Sequence, residues 1–414
     1  MSVAIRFKRP RFTWTVKMYM LSVVFFGLGT SIFDLVYNLH LLQLGFTASD
    51  LGTLWAIGLA VMSVCAIPVG LLADRLGRRW FFVGGSLLFG VSMLAVPFTT
   101  SLTALVVLQV LNAIGAIAMF TTETATMAGE VDPDQQTVLF SSYYVVYMLA
   151  DGVGSFLGGQ LPYHLPSGVS TYQITLLIAG CLGMGIGVIR LFLRLRPVSL
   201  GGATGQQRTR PMLPNQAMLR LALLAFLIGG SATLAMRYLN VVLQDGYGWD
   251  VGAIGQIFVL LNVIGFVGAA ATPGLSQKLG SARSAGFAML LIGGAQIAAA
   301  LSPTALILVV PLLLRQAAHY FQMPILETFA VGRVAPEVRS AMASYREIGF
   351  FLGGALSAKC YAAFLETGGY AQAFLLSAVL ALAAAAMYRV FYDQRIGGVS
   401  RASELAPVTE PVAP

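Results

Sequence analysis

The chain alternates between long apolar segments and short polar connections. Twelve segments run for about 20 residues or longer with few charged positions, the length that crosses a bilayer core about 30 Å thick. None shows the period-two alternation of membrane β-strands, and lipid offers no partners for backbone polar groups, so each segment is predicted to be a helix. The predicted spans are 15–43, 49–73, 80–100, 103–129, 137–163, 172–195, 216–244, 251–276, 283–301, 304–331, 338–364 and 370–392. The pattern predicts an all-α integral membrane protein with twelve transmembrane helices.

The composition agrees with this pattern. Of 414 residues, 57% are apolar and 10% are charged, and the mean hydropathy is +0.80, whereas about a quarter of a soluble domain is charged. A net charge of +8 would suggest nucleic acid as the partner of a soluble chain. In a membrane protein the positions of the basic residues matter more than their sum. We therefore expect the lipid bilayer, and not nucleic acid, as a partner.

Lysine and arginine cluster on alternate connections between the predicted spans. They precede span 1, follow span 2, flank the 6–7 link from Arg190 to Arg220, and recur in the 8–9 and 10–11 links and after span 12. The connections on the opposite side, GFTASD, TTS, PSGVSTY, QDGYGWD, SPT and ETGGY, contain neither residue. The positive-inside rule then predicts cytoplasmic termini in the plasma (inner) membrane. The apolar run after residues 6–11 is too long for a signal peptide and counts as the first span.

A polar connection at 196–215, rich in Gly, Pro, Gln and Arg, divides the spans six and six. A repeat of about 200 residues relates the halves; Met119, Glu123 and Thr124, for example, match Met323, Glu327 and Thr328. The predicted organisation is an N-terminal cytoplasmic tail (1–14), two pseudo-symmetric six-helix bundles (15–195 and 216–392), the linker between them (196–215) and a disordered cytoplasmic tail (393–414). Duplicated bundles of this kind are typical of transporters.

A charged motif joins spans 2 and 3 in the sequence GLLADRLGRR. Its glycines permit a tight turn and close packing, and its acid can face a helix N-terminus or pair with an arginine. The motif consists of Gly70, Asp74, Arg75, Gly77, Arg78 and Arg79. It resembles the G-x-x-x-D-R-x-G-R-[KR] loop motif of the major facilitator superfamily, in which this loop latches the two halves on the cytoplasmic side. Alternatively, the arginines only fix the topology.

This resemblance implies that helices 1, 4, 7 and 10 line a central cavity. Ionisable side chains inside spans are costly and usually face a cavity or a partner. The candidates for the substrate and proton cavity are Asp34, Asn38, Glu123, Arg237, Arg315, His319, Glu327 and Arg346. Of these, Arg315, His319 and Glu327 share one helical face because their spacings are close to whole turns.

Two pairings among these residues are expected. Asp34 and Arg237 lie at similar depth and would pair across the cavity, either as a proton-sensitive switch or as a permanent structural pair. Glu123 and Glu327 are related by the repeat and would act as alternative proton carriers, because facing like charges disfavour the ionised form. The alternative for these acids is pairing with Arg315 or Arg346. Arg346 and Glu347 point about 100° apart on a helix and are not expected to be partners.

Spans 5 and 11 carry GVGSFLGG and IGFFLGG, which are similar to the antiporter motif G-P-x-x-G-G except that Ser155 and Phe350 replace its proline. Small residues at this spacing also allow close helix packing. The motifs are closest to those of drug/proton antiporter-like members, but the span 4 arginine typical of drug/proton antiporters is missing, since Leu111 holds that position. The repeat places Arg315 opposite Leu111, so the second half could supply the cation, and an arginine there also suits an anionic or zwitterionic substrate.

The leading hypothesis is a secondary active transporter that exports an amphipathic or drug-like compound by alternating access, coupled to protons. The alternative is uptake or exchange of an anionic or zwitterionic metabolite, and a transporter-like receptor is a third possibility. No phosphate-binding loop, HExxH or Cys/His cluster occurs, and Cys65, Cys181 and Cys360 lie inside spans. We expect no enzyme activity, no cofactor, no metal and a monomer that binds a small-molecule substrate and protons.

Overall fold

The computed structural model describes residues 12–131, 136–165, 171–195, 214–331 and 336–392. These residues form helices α1 to α13, and no strand occurs among them. The helices are α1 (Trp14–Gln43), α2 (Ala48–Leu76), α3 (Arg78–Ala95), α4 (Leu102–Ala128), α5 (Gln136–His164), α6 (Thr171–Leu191), α7 (Gln216–Met236), the short α8 (Leu239–Val241), α9 (Val251–Leu279), α10 (Ser281–Ala300), α11 (Ala305–Val331), α12 (Pro336–Glu366) and α13 (Tyr370–Met387).

Within the described residues, eleven helices are long and apolar enough to cross a membrane. Helix α5, the fifth predicted span, is 29 residues long but lies outside that set. Helix α7 continues through α8 and a π turn at Val242–Gly246, so that one span runs from Gln216 to Gly246. The all-α membrane architecture predicted from the hydrophobic pattern is confirmed.

Local sequence signals place the helix ends. Thr47 and Asp50 bond to each other's backbone N–H groups, a reciprocal cap that begins α2. The Asn215 side chain accepts a hydrogen bond from the Met218 N–H at 2.8 Å and caps α7. Gly77 ends α2 with a φ of 105°, a conformation that side chains with a Cβ rarely adopt.

The chain forms two compact units, which we describe separately. One comprises Met1–His40, Cys65–Thr204 and Val251–Val259, and the other comprises Leu41–Val64, Gly205–Asp250 and Leu260–Pro414. Each unit therefore contains a short segment from the opposite half of the sequence. The predicted domain boundaries at 15–195 and 216–392 stay a prediction.

In the first unit, helices meet through glycine. A Cβ at Gly154 of α5 would lie 2.8 Å from the Leu28 carbonyl oxygen of α1, and the Ser31 and Ser155 hydroxyls bond at 2.6 Å in the same interface. Gly159 of α5 packs in the same way on Gly255 of α9. The span 5 glycine motif is thus a helix-packing surface, as its small-residue spacing allows.

The second unit repeats this arrangement with its own helices. A Cβ at Gly353 of α12 would lie 2.0 Å from the Phe226 carbonyl oxygen of α7, and one at Gly229 of α7 would lie 2.1 Å from the Phe350 carbonyl oxygen. Gly52 of α2 packs against Ala362 of α12. The glycines of the span 11 motif therefore let the α7 and α12 backbones touch directly.

Candidate functional site

The first unit holds a buried ion pair between α4 and α6. The Arg190 guanidinium donates to Glu123 Oε1 at 2.6 Å, to Ser86 Oγ at 3.0 Å and to Ser22 Oγ at 3.2 Å. Arg190 is 1% exposed and Glu123 is 7% exposed. The guanidinium also lies 4.2 Å from the Phe82 ring centroid, a cation–π contact. These contacts join α1, α3, α4 and α6 around one fully compensated charge pair.

Arg190 is a residue that the sequence reasoning missed. The charge pattern places it among the basic residues flanking the 6–7 link, yet it lies one residue before the end of α6 and points into the bundle. The Tyr19 hydroxyl also hydrogen-bonds the Glu123 carboxylate. The expected alternative partners of Glu123, Arg315 and Arg346, belong to the other unit. The clue in the sequence was an acid in span 4 without a basic partner on its own helix.

In the second unit, one arginine forms ion pairs with two acids. The Arg346 guanidinium forms ion pairs with Glu327 of α11 and with Glu347, its neighbour on α12. The arginine side chain is 9% exposed, and the Glu327 and Glu347 side chains are 48% and 32% exposed. The Glu327–Arg346 pairing follows the predicted alternative. The expectation that Arg346 and Glu347 are not partners is wrong, because the long arginine side chain lets its two terminal nitrogens bond in different directions.

Arg315 of α11 is the most deeply buried charged residue of the second unit. It is 2% exposed and donates to the Gln316 side-chain oxygen at 2.7 Å, while its buried Nε has no partner. One turn further on, the His319 ring contacts the Tyr320 ring edge to face, with centroids 5.6 Å apart. Within the described residues, no carboxylate pairs with Arg315.

Close packing fixes this part of α11 against α9. A Cβ at Gly268 would lie 2.1 Å from the Ala317 carbonyl oxygen, and Thr272 donates to the Phe321 carbonyl oxygen at 2.9 Å. Gly265 meets the Tyr320 ring. Backbone contacts of this kind leave the helix little freedom to rotate, so the direction of the Arg315 side chain is set by the fold.

The remaining predicted cavity residues lie toward the C-terminal ends of α1 and α7. Asp34 is exposed on α1, and Asn38, one turn later, is buried. The Arg237 guanidinium lies 4.0 Å from the Trp55 ring centroid, which places the cation over the indole face. The pairing of Asp34 with Arg237 stays a prediction.

The predicted gating motif begins inside α2 and continues into α3. Gly70 lies in open space within α2, Gly77 makes the turn, and Arg75 and Arg79 are exposed. The Asp74 side chain lies outside the described residues. The latch function therefore stays a prediction. Elsewhere in the described ranges, no group of three or more His, Cys, Asp or Glu residues is arranged to hold a metal ion.

Comparison with known proteins identifies the family. The model of the Major Facilitator Superfamily matches residues 19–358. The chain belongs to the Major Facilitator Superfamily. Members of this family are membrane transporters for small molecules and not enzymes, and the resemblance based on the charged motif is confirmed.

Several members of the superfamily resemble this chain. The 4-hydroxybenzoate transporter PcaK of Pseudomonas aeruginosa is 27% identical over 183 residues, 44% of this chain and 40% of PcaK. The match thus spans about two fifths of that relative. The MFS-type transporter YceJ of Bacillus subtilis is 25% identical over 353 residues, 81% of this chain and 86% of YceJ.

Solved structures share the fold. A crystal structure of a nucleoside transporter NupG mutant has a TM-score of 0.74 at 15% identity and covers 91% of this chain and 99% of that chain. An inward-facing bacterial homologue of the lysosomal transporter Spinster has a TM-score of 0.71 at 15% identity and covers 90% and 95%. At this identity the likeness establishes the fold alone.

Proposed function

We propose that this transporter moves a small organic carboxylate across the plasma membrane by alternating access, driven by protons, and that Arg315 binds the carboxylate. The observation that carries the proposal is the burial of the Arg315 guanidinium with an unpartnered Nε and no pairing acid among the described residues. Both termini would be cytoplasmic, as the charge pattern predicts.

A buried charge without a counter-ion is expensive. Inside a membrane, arginine costs about 2.5–3.5 kcal/mol even on the lenient insertion scale, so such residues mark substrate or ion pathways. The Gln316 amide satisfies one donor without neutralising the charge. A planar guanidinium forms two parallel hydrogen bonds with a carboxylate, which combines charge and geometry. An arriving carboxylate would supply the missing charge.

The surroundings and the relatives support an aromatic carboxylate in particular. The Tyr320 ring lies next to His319, one turn from Arg315, and packs on Gly265. An aromatic face and a polar ring close to the guanidinium suit a planar substrate with one charged end. Three similar curated proteins are described as 4-hydroxybenzoate transporters.

The export of a drug-like compound has less support from the residues. It depends on Asp34 and on the partial antiporter motif, but most of the motif's glycines pack against neighbouring helices: Gly154 and Gly158 on α1, Gly159 on α9, and Gly349 and Gly353 on α7. Packing alone thus accounts for that motif. The buried arginine favours an anion over an amphipathic cation.

The test is substrate counterflow by the purified protein in liposomes. Vesicles loaded with unlabelled 4-hydroxybenzoate should take up the labelled compound from outside, and other small carboxylates should compete. Neutral amide analogues should not compete, because they cannot neutralise the guanidinium. Exchange of amphipathic cations without exchange of any carboxylate would contradict the proposal.

Variants of Arg315 sharpen the test. Arg315→Gln should weaken the apparent affinity for the carboxylate by roughly 30-fold or more, because losing one partner of a buried charge pair costs about 2–5 kcal/mol. Arg315→Lys keeps the charge but loses the planar guanidinium that forms two parallel hydrogen bonds, and should have an intermediate effect. Arg220→Gln is the matched control, since Arg220 lies over the Phe391 ring at 5.0 Å in the same unit. Unchanged affinity in Arg315→Gln would refute the assignment.

A further inference from the structure

The two acids related by the repeat have different partners. Glu123 lies five residues before the end of α4 and forms an ion pair with Arg190, so that pair has no net charge. Glu327 lies four residues before the end of α11 and shares Arg346 with Glu347, so that cluster has a net charge of −1 when both acids are ionised. Equivalent positions thus differ by one uncompensated carboxylate.

The exposed fraction of the acid side chains differs in the same way. The Glu123 side chain is 9% exposed, whereas the Glu327 and Glu347 side chains are 48% and 32% exposed. Glu327 lies four residues before the end of α11 at Val331, and Glu347 lies eleven residues after the start of α12 at Pro336. The cluster therefore lies near the C-terminal end of α11, and its two acids are less enclosed by protein than Glu123 is.

The other charged groups around the cluster are occupied or distant in sequence. The charged groups that act on Glu347 are Arg346 and Glu327. Helix α7, which packs on α12, carries Arg220 and Arg237, and these stack on aromatic rings. On α11, Arg315 and His319 lie three and two turns before Glu327, and α13 contributes no charged residue. Helix α10, which packs on α11, carries Arg283, but the ion pairs of Glu327 and Glu347 within the described residues are with Arg346.

A proton is the cation that fits this cluster. Both carboxylates already bond to the guanidinium, and Arg346 is 8% exposed with a buried, unpartnered Nε. A metal ion next to that positive charge would be repelled, whereas a proton bonds to one carboxylate oxygen and leaves the neutral acid as a donor. Protonation turns the cluster into a neutral one-to-one pair with an additional neutral acid, the charge state of the Glu123–Arg190 pair.

We propose that the Glu327–Arg346–Glu347 cluster takes up one proton per transport cycle and is the site that couples substrate movement to the proton gradient. The two acids share this proton as a unit, because their titrations are coupled through the common guanidinium. Glu123, with its own arginine, has no part in coupling. This inference depends on the proposed transport function for its physiological meaning, but proton binding by the cluster does not depend on the substrate.

The first arm of the experiment measures coupling in liposomes. With a pH gradient and a clamped membrane potential, we expect Glu327→Gln and Glu347→Gln to lose substrate-dependent proton influx and gradient-driven accumulation of 4-hydroxybenzoate by about tenfold or more. Counterflow at equal pH should decrease much less than accumulation does, since exchange does not require net proton movement. Glu366→Gln, at the far end of α12, is the matched control and should keep both activities.

The second arm needs no substrate. Infrared difference spectra of the purified protein between high and low pH should show a carboxylic acid C=O band that is lost in the Glu327→Gln, Glu347→Gln double variant and kept in Glu366→Gln. Failure of counterflow with every carboxylate would refute the proposed function while this arm still tests the cluster. An unchanged band in the double variant, intact proton influx in both single variants, or accumulation driven by sodium instead of protons would overturn the proton site.

Discussion

The buried pair of Glu123 and Arg190 allows a direct test of whether an acid inside the first unit stabilises the fold or carries protons. Glu123→Ala would leave the Arg190 guanidinium charged, 1% exposed and without its carboxylate. Breaking a buried pair by removing one partner costs about 3–5 kcal/mol, because the remaining charge stays desolvated. Glu123→Gln keeps an acceptor for one hydrogen bond and should cost less, about 1.5–3 kcal/mol.

Removing both charges should restore much of this loss. Ser22 donates to the Tyr19 carbonyl oxygen at 2.7 Å and Ser86 to the Phe82 carbonyl oxygen at 2.6 Å, so neither hydroxyl needs Arg190 as a partner. Apolar residues of similar volume often replace a buried ion pair at little or no cost. The double variant Glu123→Leu, Arg190→Met should therefore be within about 2 kcal/mol of the unchanged protein.

The assay is thermal unfolding of the purified protein in detergent at one fixed heating rate, since unfolding of such proteins is a rate process. Glu123→Ala should lower the midpoint by about 3–6 °C, and the double variant should recover most of that decrease. In liposomes the double variant should keep proton-driven uptake. A double variant that melts as low as Glu123→Ala would refute the stability argument, and one that folds but loses proton coupling would make Glu123 a proton carrier.

Three further substitutions test packing and helix ends. Gly353→Ala places a Cβ 2.0 Å from the Phe226 carbonyl oxygen and should separate α7 from α12, lowering the thermal midpoint and the folded yield. Lys359→Met removes hydrogen bonds from α12 to the first turns of α2 and should increase hydrogen exchange there, measured by mass spectrometry. Asn215→Ala removes the cap of α7, which costs about 1 kcal/mol, and should increase exchange in the first turn of α7.

Each of these substitutions has a matched control. Gly294→Ala enters open space on α10 and should leave the midpoint unchanged or raised, so equal midpoints for both alanine variants would contradict the packing argument. Lys278→Met removes an exposed lysine of α9 and should not change exchange in α2. Asn215→Asp keeps a capping oxygen, and increased exchange in that variant would show that the cap is not the cause.

The helices and their number could largely be predicted from the sequence, because lipid imposes one requirement on every span. Backbone groups must bond within the segment, so an apolar run of sufficient length predicts a helix without knowledge of its neighbours. The turn at Gly77 was also readable, since its motif demands a residue that tolerates a positive φ. The sequence did not predict that residues 41–64 group with the second compact unit and residues 251–259 with the first, because this grouping depends on contacts between helices that are distant in sequence.

The candidate site could be predicted from the sequence only in part. The sequence identifies Glu123, Glu327 and Arg315 as costly intramembrane charges, but it does not give the rotation of one helix against another. Arg190 lies 67 residues from Glu123 and near the end of α6, where the charge pattern alone assigns it to topology. A partner on another helix becomes visible only when the helices are packed.

The unequal charge compensation of the repeat-related acids offers a physical reason why the two halves of a duplicated bundle would respond differently to protons. If both repeat-related acids were equally compensated, neither half would respond to protons more than the other. Here the base comes from α6 in the first unit and from α12 in the second, and only the second has an extra carboxylate. A proton arriving at Glu327 and Glu347 removes a net charge, whereas a proton arriving at Glu123 would break a satisfied pair. Under the proposals made above, the first half would keep a neutral core, and the second half, which also holds Arg315, would provide both the charge that binds the anion and the charge that changes with pH.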